Sequence, residues 1–114
     1  MKYRLLLASL VVMAGVSNAC ANDAEDAEDV KELVQASGCL SCHAVDEKIV
    51  GPAFKDVVAK YSRDPDAIAT IAQSIKNGSR GKWGRMAMPS HASLSSEELK
   101  TLATWVMSRK SKAN

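Results

Sequence analysis

Two cysteines and a histidine packed into five residues, Cys39-Leu40-Ser41-Cys42-His43, restrict the rest of this 114-residue chain more than any other stretch. The two-residue spacer brings both thiols onto one turn, and an imidazole follows the second directly. That order is the signature of c-type haem attachment: each thiol can add to one vinyl group, and the adjacent residue can reach the iron. Such a chain must also supply a second axial ligand, an apolar pocket for a flat macrocycle, and export to an oxidising compartment. The other uses of a CxxC pair fit less well. A thioredoxin-like motif sits in a βαβ pattern, and no strand-type alternation occurs here. Zinc wants four ligands, and the chain has no second cysteine pair, only His43 and the distant His91. A disulfide across so short a spacer would close almost no loop.

The N-terminal residues meet the export requirement. Lys2 and Arg4 precede an apolar run from Leu5 to Val16, too short to span a bilayer but suited to a secretory leader. Ala19-Cys20-Ala21 fits the small-residue cleavage pattern, so residues 1–21 are expected to be a signal peptide and residues 22–114 a single mature domain. The rival reading makes Cys20 the lipidated first residue of a membrane-tethered form; the residues before it, Ser17-Asn18-Ala19, lack the leucine such signals usually carry. Losing Lys2 and Arg4 takes the formal net charge from +2 to zero, so the pI of about 8.5 overstates the basicity of the mature chain. No basic excess or stripe points to nucleic acid.

Periodicity in the mature chain is helical throughout. An acidic start and the apolar positions Val30, Leu33 and Val34 predict a helix from about Ala24 to Ser37, ended by Gly38 just before the first thiol. Gly51-Pro52 marks a turn, with Pro52 expected to open a short helix to Tyr61 that carries Phe54, Val57 and Val58 on one face. Asp64 as cap and Pro65 at the first helical position predict a third helix with Ile68, Ile71, Ala72 and Ile75 inward, stopped at Asn77-Gly78. Residues 79–94 have no helical period and read as a long loop, yet they hold Trp83, Met86, Met88 and His91. Ser95 and Glu98 form a capping box with Leu94 and Leu99 as a hydrophobic staple. The last helix is expected to run to about Arg109 and to bury Leu99, Leu102, Ala103 and Val106. The fold class is all-α, with about four short helices. Three side chains of the long loop can offer the second axial ligand: Met88, Met86 and His91.

The motifs run in the order Cys39 to His43, Val50-Gly51-Pro52-Ala53, Lys55-Asp56-Val57, Ile75-Lys76-Asn77-Gly78-Ser79, Trp83-Gly84, Met88-Pro89 and Trp105-Val106. This series resembles the small bacterial class I cytochromes c of the c-551/c-552 type over nearly the whole mature chain. The resemblance implies the class I cytochrome c fold wrapped around one covalently bound haem c. It makes Cys39 and Cys42 the thioether attachments, His43 the proximal iron ligand and Met88, which precedes Pro89, the distal one. A methionine ligand paired with histidine raises the iron potential into the range of electron carriers. Pro52 resembles the proline whose carbonyl takes the proximal imidazole N–H, and Trp83 the tryptophan whose indole N–H reaches a haem propionate. Trp105, Val34 and Phe54 read as core.

Two departures stand out. Relatives often carry an arginine facing a propionate where this chain has Ser74, leaving Arg80 or Arg85 to substitute. Where relatives read Met-Pro-Pro-Asn, this chain reads Met88-Pro89-Ser90-His91, so an imidazole replaces the asparagine that hydrogen-bonds the ligand sulfur. Because imidazoles titrate near neutrality, the redox potential is expected to respond to pH through His91. With both axial positions filled there is no place for substrate, so the function implied is a soluble, monomeric periplasmic one-electron carrier rather than an enzyme. The implied partners are a quinol-oxidising membrane complex and a nitrite reductase, oxidase or peroxidase. Lys48, Lys55, Lys60, Lys76, Lys82, Arg80 and Arg85 could ring the haem edge and steer docking. The alternative is a haem-based binder or sensor of small ligands in which Met88 dissociates.

Overall fold

The computed structural model describes residues 22–110, which form four α-helices, a one-turn 3₁₀ helix and no strand. The all-α expectation is borne out. The leader, its cleavage site and the Cys20 question lie outside the described residues. Helix α1 spans Asn22–Ala36 and α2 Phe54–Tyr61; α3 spans Ala67–Asn77 and α4 Ser96–Met107. The 3₁₀ turn, Cys39–Ser41, carries the first thiol.

Helix α4 is the common wall of the domain, packing against α1, α2 and, most extensively, α3. Its start is fixed locally. The Ser95 hydroxyl accepts from the Glu98 backbone N–H at 3.1 Å, and the Glu98 carboxylate accepts from the Ser95 N–H at 2.7 Å, so two otherwise orphaned donors are satisfied. All four residues assigned to its inner face, Leu99, Leu102, Ala103 and Val106, are buried. They meet Val34 from α1, Phe54 and Val57 from α2, and Ile71 and Ile75 from α3 in one apolar core. Burial of this kind supplies the main stabilisation of helices too short to persist alone.

Two helix starts differ from the expected ones, both at prolines. Pro52 does not open α2: the backbone is still extended at Ala53 (φ −61°, ψ 142°), and the helix begins at Phe54. Pro52 thereby keeps its carbonyl free of the helix. Asp64-Pro65 forms a turn in front of α3, where the Asp64 carboxylate accepts from the Asp66 N–H at 2.8 Å. That bond is a local competitor to helix capping, and Ala67 is the first helical residue. At the other end of α3, Gly78 stops the helix with φ +72°, a backbone open to glycine but strained for other residues. Helix α4 ends at Met107, two residues earlier than expected.

Candidate functional site

The site is built from two segments that lie far apart in the chain. The first follows α1. Gly38, at φ +69°, turns the chain out of the helix, and the N–H groups of Cys42 and His43 both bond to the Cys39 carbonyl, at 3.3 and 3.0 Å. This single tight turn carries both cysteines and the histidine. Cys39 and Cys42 are half-buried, and burial pushes the Cys39 thiol above its ordinary pKa, opposed in part by a backbone hydrogen bond, so its sulfur is neutral at physiological pH.

His43 is held from three sides. Its Nδ1 lies 2.7 Å from the Pro52 carbonyl oxygen, which can only accept, so Nδ1 carries the proton and Nε2 keeps a free lone pair. The Phe54 ring stacks against the imidazole with centroids 5.1 Å apart and planes 21° from parallel. Phe54 is in turn braced edge-on by Trp105 at 5.2 Å. On the remaining side, Gly51 passes so close that a Cβ there would overlap the imidazole. The Gly51 N–H bonds to the Cys42 carbonyl at 2.8 Å, and the N–H groups of Phe54 and Lys55 bond to the carbonyls of Ala44 and Val45, zipping this connector onto the start of α2. The stacking partner Phe54 and the close approach of Gly51 are functional contacts that periodicity alone reported as core and turn.

The second segment is the loop between α3 and α4. It is closed at its neck by a reciprocal pair of backbone bonds, Ser79 N–H to Met88 carbonyl at 3.1 Å and Met88 N–H to Ser79 carbonyl at 2.9 Å. The His91 N–H adds a tie to the Ile75 carbonyl at 2.9 Å. Met88 packs partly buried against the core, whereas Met86 is 66% exposed. Gly78 makes the neck possible, since a Cβ there would stand 2.5 Å from the Met88 carbonyl oxygen.

Between the two segments lie an open cleft of about 880 Å³ and an adjoining one of about 830 Å³, each figure including space open to solvent. Both are lined by Cys42, His43, Phe54, Ile75, Met88 and Val106; the second also reaches Cys39 and His91. The walls of the first are apolar, with Val50, Val57 and Ile71 among them, and its polar edge is formed by Ser74, Lys82 and Trp83. No aspartate or glutamate lines either cavity. An apolar slot with two sulfurs, an oriented imidazole, a thioether and a cationic edge matches the chemistry of haem, a flat hydrophobic ring with anionic substituents at one side. Trp83 is half-buried, its indole N–H has no protein partner among the described residues, and the Lys60 ammonium sits 4.5 Å from its ring centroid. Arg80 and Arg85 do not line the cleft; Lys82 does, with its ammonium 2.7 Å from the Ser74 hydroxyl.

The family model for cytochrome c matches residues 27–110, a span that takes in both segments, α2, α3 and α4, and the greater part of α1. The chain belongs to the cytochrome c family. Among curated relatives, cytochrome c-551 of Pseudomonas aeruginosa is 52% identical over 84 residues, covering 74% of this chain and 80% of the relative. Cytochrome c-552 of Nitrosomonas europaea is 38% identical over 103 residues, 90% of each chain. The crystal structure of wild-type Nitrosomonas europaea cytochrome c552 superposes with a TM-score of 0.66 at 41% identity, covering 70% of this chain and 99% of that one. The class I cytochrome c fold and the cofactor follow: haem c, attached covalently through the family motif that Cys39 and Cys42 supply. The chain is thus placed among the small monohaem cytochromes c of the electron-carrier family. None of the described helices is long and apolar enough to cross a membrane.

Proposed function

We propose that this cytochrome is a periplasmic one-electron carrier whose haem iron is held between His43 and Met88. Haem c, when bound, supplies an iron centre that gains and loses a single electron. The chain's own residues define the surroundings. The Pro52 carbonyl fixes the His43 tautomer and makes Nε2 the stronger donor. Phe54 and Gly51 limit rotation of the ring. As a ligand to the iron, the Met88 thioether, soft and neutral, would favour the reduced state and raise the potential.

Met86 and Met88 both line the cleft with His43; support for Met88 comes from the two backbone bonds to Ser79 that fasten it and from its packing against the core, whereas Met86 is mostly exposed. With His43 and Met88 as ligands no coordination position is left for substrate, which favours a carrier over an enzyme. Exposed Leu40, Ile49, Val50 and Met86, with solvent-facing lysines such as Lys48, Lys60 and Lys82, suit brief, weakly steered docking. The redox partners are a quinol-oxidising membrane complex as donor and a nitrite reductase, oxidase or peroxidase as acceptor. The leader at residues 1–21 directs the chain to the periplasm, where it works as a soluble monomer.

The ligand assignment is tested in the oxidised holoprotein by the near-infrared sulfur-to-iron band. Met88→Ala abolishes the band and Met86→Ala leaves it. A five-coordinate reduced spectrum, or ready binding of carbon monoxide by the wild type, would instead favour a small-ligand binder.

A further inference from the structure

Lys82 stands at the edge of an apolar cleft with no acidic partner among the described residues, yet its ammonium is held 2.7 Å from the Ser74 hydroxyl. Ser74 donates its own proton back to the Thr70 carbonyl at 3.2 Å, so its lone pairs face the lysine. An ammonium has three donors, and Ser74 takes one. The next residue, Trp83, lines the same cleft, its indole N–H has no protein partner among the described residues, and Lys60 from α2 lies over its ring. Two cations and a neutral donor thus gather where the lining carries no carboxylate. A cationic edge of this kind favours an anionic partner, and the acids the cofactor brings are its propionates.

We propose that Lys82, positioned by Ser74, is the counter-charge of a haem propionate in this chain. It takes the role that the family resemblance gives to an arginine at the position of Ser74, with donor and anchor exchanged: the cation comes from the loop and the helix supplies the hydroxyl that aims it. Arg80 and Arg85 are outside the lining and do not share the role. The inference rests on the haem-carrier reading but not on which residue is the distal ligand.

The consequence is electrostatic. A cation beside a carboxylate favours its ionised form and lowers its pKa. An ionised propionate favours ferric iron, so the potential falls as pH rises through that pKa, and Lys82 places the fall at lower pH. Lys82 is exposed, which keeps the effect at the small end of its range. The other charged or titratable groups around this corner are Lys60 and Tyr61 from α2 and, deeper in the two cavities, Cys42, His43 and His91.

The test is potentiometry of the holoprotein against pH, in a His91→Asn background so that this imidazole does not contribute. Lys82→Gln moves the acid-linked step upward by about one pH unit and lowers the potential above it. Lys82→Arg restores both, and Ser74→Ala moves the step part of the way. An unchanged step in Lys82→Gln, or a step that moves with Arg80→Gln instead, overturns the proposal. The near-infrared band, recorded on the same samples, reports separately on Met88: its absence from the parent counts against that ligand without altering how the pH step is read.

Discussion

The two sides of the haem cleft are built by opposite means. The histidine side is contiguous: from Gly38 to Lys55 each group is fixed by a neighbour within about a dozen residues, through a 3₁₀ turn, the Pro52 carbonyl and the Phe54 ring. The methionine side is a long excursion from α3 to α4, held at its neck by two backbone bonds and by the His91 N–H. A short-range site is specified by its own motif, whereas a loop needs a closure that local sequence does not announce. The rigidity of each side therefore hangs on a different glycine, Gly51 for the imidazole and Gly78 for the thioether.

Variants separate the two constructions. The largest effect is expected from Leu102→Ala, which removes a side chain only 1% exposed from the shared wall of α4. A loss of about 2–5 kcal/mol in denaturant unfolding is expected, with both ligation signatures kept in the folded protein. Gly78→Ala comes next, at about 1–3 kcal/mol, because the new Cβ meets a backbone oxygen and adopts φ +72°. Here the near-infrared band weakens while the haem stays covalently bound. Gly51→Ala presses a Cβ onto the His43 ring, a side chain that can shift slightly where the backbone oxygen facing Gly78 cannot, so a smaller part of about 1–3 kcal/mol is expected. Its signature is a change in the imidazole resonances of the paramagnetic NMR spectrum with the sulfur band kept. Should Gly51→Ala remove the band and Gly78→Ala spare it, the two glycines would have the reverse assignments. Ser95→Ala is the mildest, costing about 1 kcal/mol through the lost cap and altering neither spectrum, since α4 touches the cleft through Val106 and not through its first turn.

The contrast also marks what was legible in the sequence. The inner face of α4, its capping box and the stop at Gly78 were readable because each depends on residues within a turn of one another. Both proline positions misled for one reason: a proline fits the first turn of a helix, but it equally suits the extended residue before one, and tertiary bonds decide between them. At Pro52 the deciding partner is His43, nine residues earlier. The meeting of Lys82 with Ser74 had no local signal at all. Arg80 and Arg85 are as close in sequence and as cationic, and only the path of the loop separates them from Lys82. The neck between Ser79 and Met88 was equally silent, being one isolated bridge with no alternating strand pattern around it.

The common wall formed by α4 has a consequence for the order of assembly. Substantial helix packing in the domain runs through α4, while α1, α2 and α3 make little contact with one another. Segments of this length are marginal as isolated helices, so a chain emerging N-terminus first has nothing to close on until its final helix is delivered. Cys39, Cys42 and His43 precede that helix by more than fifty residues. Over that interval the attachment motif has no folded wall to pack against, and the arrival of α4 closes the domain over it.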